Sequence, residues 1–239
     1  MTQKRIACFV EGQTEQIFVE RLFHEIAGSK KISIETRKFQ GGRNNRRSQS
    51  LKTSIKKEAP FFVLLYNCDC DSQVLSDIKK HHESLTNSGY EKILGLRDLY
   101  PTPLEKKQEV EKGIRGNLKV WQHKHNGIPT SMNLAVMEVE AWFLAEWNYL
   151  AKIDNRLTCD FILQQCGLDL RNMVDIEQIA HPSQDLDKIY RLVSRNYDKS
   201  EKTSQEIINN LDYERLYVHL VNSVKKLKRF IDEIDSFLG

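Results

Sequence analysis

The chain has no CxxC pair, no GxxxxGK[ST] phosphate loop and no internal repeat or low-complexity tail. No apolar run approaches the ~18 residues that a membrane-spanning helix needs. Its five cysteines (Cys8, Cys68, Cys70, Cys159, Cys166) are odd in number and scattered, which argues against a disulfide framework or a zinc ribbon. Polar Lys4-Arg5 lead straight into a short strand, not into the pattern of a secretory leader. These absences give the expectation of a cytoplasmic protein with reduced thiols. Proline and glycine are sparse, at 5 and 11 of 239 residues, and 40% hydrophobic with 29% charged residues is ordinary for a globular chain. The net charge of +3 is too small to identify a partner, although the charge is unevenly spread.

What is present begins with Ile6–Val10, a continuous apolar run of the kind buried on both faces of a parallel sheet. Gly12 lets the chain turn, Thr14 is placed to cap the next helix, and Ile17, Phe18, Leu22 and Ile26 recur at helical spacing. Glu11 and Glu15 therefore fall at the carboxyl end of a strand and in the first helical turn, where ligands bind in open α/β sheets. A plainer reading remains open, with Glu15 complementing the helix dipole and Glu11 a solvated turn residue.

Ile32–Phe39 alternates as a second strand. From Arg37 to Lys57 the chain carries eight Lys or Arg and no acid, with Gly41-Gly42-Arg43-Asn44-Asn45-Arg46-Arg47 at its centre. This reads as a basic loop, either merely solvated or gripping phosphates through Arg43, Arg46 and Arg47. Phe61–Tyr66 is a third buried strand that runs into Asp69-Cys70-Asp71, and two carboxylates that close need a cation or water between them. A helix over Val74–Leu85, a fourth strand from Lys92 ending at Asp98, and a charged helix or lid over Glu105–Gly116 follow. His123 and His125 fall in a polar loop. The fifth strand, Met132–Val139, carries Glu138 and leads into Glu140-Ala-Trp-Phe-Leu. An acid in such apolar surroundings requires a cation or hydrogen-bond donors. From about residue 150 the pattern becomes helical, ending in a long apolar stripe from Leu216 to Leu238.

Acids thus recur at three predicted strand ends: Glu11 with Glu15, Asp69 with Asp71, and Glu138 with Glu140. Clusters of oxygen ligands alone suit Mg²⁺ or Mn²⁺. Two such ions can activate water and stabilise the leaving oxygen of a phosphodiester.

The EGQTE of residues 11–15 and the DCD of residues 69–71, each after a buried strand, resemble the Toprim domain of topoisomerases, primases and OLD-family nucleases. The EGxTE form, Glu140-Ala-Trp-Phe-Leu, His181-Pro-Ser183, Leu186 and Tyr197-Asp-Lys199 are similar to a stand-alone Toprim-like family, described only as a domain of unknown function and often encoded in phage-resistance operons. The resemblance implies a Toprim-like (Rossmann-like) α/β domain over residues 1–150, a mostly parallel sheet flanked by helices, with a helical region over 151–239 packed on it. It further implies that Glu11, Asp69 and Asp71 are the Toprim acids, with Glu15, Glu138 and Glu140 completing a two-metal Mg²⁺ (or Mn²⁺) site. Lys199 would match a lysine near the scissile phosphate. The expected activity is nuclease cleavage of DNA or RNA in antiviral defence. Because the chain has no P-loop, either it acts alone or a separately encoded ATPase assists it, and a homo-oligomer is compatible with the sequence. Two alternatives stay open: a small-nucleotide phosphoesterase, and a non-enzymatic Mg²⁺-binding module that recognises nucleic acid or an ATPase.

Overall fold

A computed structural model describes residues 2–41, 46–70, 73–125, 127–172 and 176–239. Among these, six strands form one sheet: β1 (Lys4–Val10), β2 (Ile32–Gln40), β3 (Arg47–Ser54), β4 (Phe61–Asn67), β5 (Lys92–Asp98) and β6 (Thr130–Ala135). Their spatial order is β3-β2-β4-β1-β5-β6. β1 runs parallel to both β4 and β5, and β2 runs parallel to β4, so the centre of the sheet is parallel. The helices are α1 (Gln13–Ala27), α2 (Val74–Asn87), α3 (Lys107–Lys124), α4 (Glu140–Ala145), α5 (Leu150–Ile153), α6 (Cys159–Cys166), α7 (Pro182–Arg191), α8 (Glu201–Asn210) and α9 (Lys225–Leu238). The expected α/β class with a helical C-terminus is what the chain forms.

The chain divides into two compact units. One comprises residues 1–97, 108–134 and 232–239, the other residues 98–107 and 135–231. The division differs from a boundary at residue 150: the chain leaves the first unit at the ends of β5 and β6, and its last eight residues return to it.

In the first unit, alternation along β1 sends Ala7 and Phe9 to one face, where they join Tyr66, Ile78, Leu85, Ile93 and Met132 in a buried cluster. Gly95 of β5 is required by this packing. A Cβ there would lie 2.0 Å from Met132 Sδ and 2.9 Å from Ile78 Cδ1. Gly95→Ala is therefore expected to cost about 2 kcal/mol through overpacking, measurable by urea denaturation; an unchanged midpoint would contradict the packing described. In the second unit Trp142, Phe143, Tyr149, Leu186, Ile189, Ile207, Leu216 and Leu227 are all buried, which makes Trp142 and Phe143 core residues.

Several local expectations are corrected. The segment 47–54 is a strand, not a loop, pairing antiparallel with β2. It is exposed on both faces, so it shows no hydrophobic alternation. β6 ends at Ala135, because Met137 takes a left-handed φ of 59° and turns the chain. Gly12, not Thr14, occupies the N-cap of α1, without a side-chain cap, and Thr14 is buried within the helix. α3 extends to Lys124 and absorbs His123. The C-terminal stripe is broken: a π-helical turn at Arg215–His219 and a 3₁₀ turn at Leu220–Asn222 precede α9.

Candidate functional site

In the first unit, the register pairs Val10 of β1 with Asn67 of β4, so both strands end at the same level. Glu11 and Asp69 follow these adjacent ends. Glu15 is buried in the first turn of α1, and Gly12 leaves it room, since a Cβ at 12 would sit 2.9 Å from Glu15 Oε2. Asp69 takes a left-handed φ of 52°. Its backbone N–H donates to Asn67 Oδ1 at 2.8 Å, and its carboxylate meets Lys38 Nζ at 2.8 Å. Asn67, itself buried, donates to Gln16 Oε1 at 3.3 Å and so ties β4 to α1. Asp71 and Arg43 lie outside the described residues.

The two remaining arginines separate. Arg47 opens the exposed β3. Arg46 instead turns inward: its guanidinium is 2.9 Å from Asp77 Oδ2, donates to the Cys68 carbonyl and lies over the Phe39 ring. That placement gives Arg46 a structural ion pair, a role a run of basic residues cannot reveal.

In the second unit, Asp98, Glu138 and Glu140 converge, with one carboxylate oxygen from each lying within 4.8 Å of the others. All three are buried. Glu138 accepts from the Ser183 backbone N–H and hydroxyl, both at 2.9 Å, and from Lys199 Nζ at 2.8 Å. Glu140 accepts from Tyr197 Oη at 2.8 Å and faces Lys199 Nζ at 3.2 Å. Asp98 accepts the Val139 N–H at 3.1 Å, which fixes the turn between the two glutamates. The loop carrying Lys199 is pinned on both sides. Tyr197 N–H donates to Asp187, while Asp198 accepts from Ser200 and Thr203 at the start of α8. Lys199 itself takes a φ of 57°. Left-handed residues other than glycine are costly and are retained where surrounding contacts enforce them; three of the five among the described residues are Lys199, Met137 beside Glu138, and Asp69, the others being Glu58 and Ser194.

The electrostatics follow from this packing. Burial opposes ionisation of Glu138, but Lys199 and the Ser183 donors outweigh it and hold the carboxyl below its usual range. Burial dominates at Glu140 and pushes it up, with Glu138 adding repulsion and Lys199 opposing. Burial pulls against the Lys199 charge, yet Glu140, Glu138 and Asp98 together drive its pKa upward. Three carboxylates facing one ammonium leave an excess of negative charge when all are ionised. Such an oxygen-only set suits a hard divalent cation. A surface pocket of about 470 Å³, lined by Ser183, Asp187, Lys188, Tyr197 and Lys199 among others, opens beside it.

Of the acids expected at a site, the structure brings Glu138 and Glu140 together with Lys199 and adds Asp98, Ser183 and Tyr197. Asp98 ends a strand like the other acids, and that position was the signal for it. Glu146 had no such signal. It is fully buried, its Oε2 accepts the Asp212 N–H at 3.1 Å, and its Oε1 has no hydrogen-bond partner among the described residues. Burial pushes its pKa up to about 7. Because the folded value is raised, the folded state binds this proton more tightly, so stability falls as pH rises from about 4.5 through 7. Glu146→Gln is expected to stabilise the protein by about 1–2 kcal/mol at pH 8 and by nothing at pH 4.5. Thermal melts at the two pH values check this, and equal effects at both would contradict it.

Among the described residues no helix is long and apolar enough to cross a membrane. None of the curated proteins compared matches the sequence. A solved structure of a candidate cell surface hydrolase from Lactobacillus plantarum WCFS1 aligns over 98% of both chains at 11% identity, with a TM-score of 0.33; likeness of that degree carries no argument about this chain. The model of DUF4276, a domain of unknown function, matches residues 10–234, and the chain belongs to that family.

Proposed function

We propose that this protein is a divalent-metal-dependent hydrolase that cleaves phosphodiester bonds in nucleic acid, in the manner of Toprim and OLD-type nucleases. The observation that carries the reading is the buried Asp98–Glu138–Glu140 cluster, whose excess negative charge and oxygen-only donors fit Mg²⁺ or Mn²⁺. These three side chains would hold one ion. Glu11, Glu15 and Asp69, with Asp71 from the sequence motif, form the other candidate acidic group. A bound ion would polarise a phosphoryl oxygen and lower the pKa of a water. The chain's own residues supply the rest. Ser183 and Tyr197 fix the two glutamates, and Lys199 places a permanent positive charge where a phosphate entering the adjoining pocket would meet it. A role in phage resistance, and assistance from a separately encoded ATPase, rest on the family resemblance in the sequence motifs.

The test is a cleavage assay on supercoiled plasmid, single-stranded DNA and total tRNA, with Mg²⁺, with Mn²⁺ and with EDTA, beside Asp69→Ala. Metal-dependent cutting that the variant loses supports the reading; no metal-dependent cutting of any of the three substrates would sink it, and full activity in the variant would remove Asp69 from the chemistry. One observation favours a second reading, a module without turnover. Both oxygens of Glu138 already have protein donors, as in a structural ion-pair network. In that case no substrate is cut, and metal leaves the melting temperature unchanged.

A further inference from the structure

We infer that the exposed surface formed by α2 and the second half of α3 is a binding track for single-stranded nucleic acid. The inference rests on the nucleic-acid reading above but uses none of the acidic residues. Two adjoining hollows of about 400 and 530 Å³ share Lys79 and Trp121 as lining residues. Lys80, Lys124 and His125 complete the rim, and Glu83 is the one acid there. From Lys112 to His125 the chain carries Lys112, Arg115, Lys119 and Lys124 with no acid. Elsewhere on the surface basic residues such as Arg21, Lys38, Lys52, Arg191 and Arg195 are engaged in ion pairs. Among the described residues no ion pair engages the α3 cations or Lys79, whose ammonium bonds the Asn117 amide.

Aromatic character lies within this charge. The His125 ring stacks on Trp121 at 4.8 Å with an interplanar angle of 19°, and His82 meets Trp121 edge-on at 4.6 Å. His125 is exposed, at the end of this stack. Gly113 and Gly116 supply the third feature. Glycine is a poor interior helix residue, and a Cβ at either position would meet nothing within 4 Å. No packing among the described residues requires glycine there, and Gly116 itself lines a hollow. A bare helix flank between lysines lets a sugar–phosphate backbone lie close, while an aromatic stack receives a base. Cationic grooves interleaved with aromatic rings bind single strands in this way.

The experiment is fluorescence anisotropy with labelled 20-nucleotide single-stranded DNA and RNA in EDTA, where metal-dependent cutting cannot occur. Unlabelled duplex and poly-glutamate serve as competitors. In Lys79→Gln/Lys124→Gln the affinity should fall at least tenfold, and the slope of log affinity against log salt should flatten by about 1.4, near 0.7 for each lost phosphate contact. In His125→Ala affinity should fall with the salt slope unchanged, because a stacking contact releases no counterions. Circular dichroism melts confirm that both variants fold. Wild-type affinity in both variants, or poly-glutamate competing as well as an oligonucleotide, overturns the inference even if the protein proves to be a nuclease. Binding that maps to these residues sustains it even if no metal supports cutting, in which case the hydrolytic reading alone falls.

Discussion

Replacing Lys199 by methionine is expected to lower the melting temperature by about 6–12 °C at neutral pH, from a loss of about 3 kcal/mol. Methionine keeps much of the side chain's length but removes the only ammonium among the described residues that faces Glu138 and Glu140. Removing one partner of a buried pair leaves its charge uncompensated, and that penalty, rather than the worth of the pair, dominates. The figure is set at the low end because the Lys199 side chain is 39% exposed, so water screens part of the interaction. The pH dependence has a definite sign. Glu138 is held below its unfolded value, so its contribution is present above about pH 4.5 and is lost as pH falls through the folded value. The raised pKa of Lys199 keeps it charged throughout that window. The difference between variant and wild type should therefore be full at pH 7 and shrink below pH 4.5. If the cluster is a metal site, millimolar Mg²⁺ should restore part of the lost stability, by about 2.7 kcal/mol when the ion is at 100 times its dissociation constant.

Glu140→Gln is expected to reduce metal-dependent cleavage by on the order of 10²–10³-fold, a loss of about 3–4 kcal/mol of transition-state stabilisation. Its effect on folding should be small and of opposite sign. Burial pushes the Glu140 carboxyl up, which means that its charge is costly where it sits. A neutral amide keeps an oxygen for the Tyr197 hydroxyl while relieving the repulsion from Glu138. A variant as stable as wild type but inactive would separate the chemistry from the fold; single-turnover assays and melts on one preparation give both readouts. Retained activity would remove Glu140 from the chemistry.

Much of this architecture was legible because buried parallel strands write themselves as apolar runs. Ile6–Val10, Phe61–Tyr66 and Lys92–Asp98 each form a strand where the pattern places it. β3 was not legible because both its faces are exposed, leaving no alternation to read. The limit of β6 was hidden in backbone geometry: Met137 turns left-handed between Val136 and Glu138, and nothing in its side chain announces that. The acids Glu138 and Glu140 stood out since carboxylates among apolar residues demand a partner. That partner, Lys199, is 59 residues beyond Glu140 in sequence and was suggested only through resemblance. Asp98 carried the same strand-end signature as the other acids. Glu146 looked like an ordinary helix-end acid, because burial by distant elements leaves no local trace. Arg46 shows the converse case, a residue in a basic run whose charge is taken up by Asp77.

The central claim is that Asp98, Glu138 and Glu140 together hold a divalent cation. Calorimetric titration of Mn²⁺ into the wild-type protein and into Glu140→Gln, at pH 7.5 in moderate salt, addresses it without reference to any substrate. The account predicts a saturable site in the wild type whose affinity drops by at least tenfold in the variant. No saturable binding at millimolar Mn²⁺, or the same isotherm in both proteins, would contradict it and leave the cluster as an ion-pair network centred on Lys199.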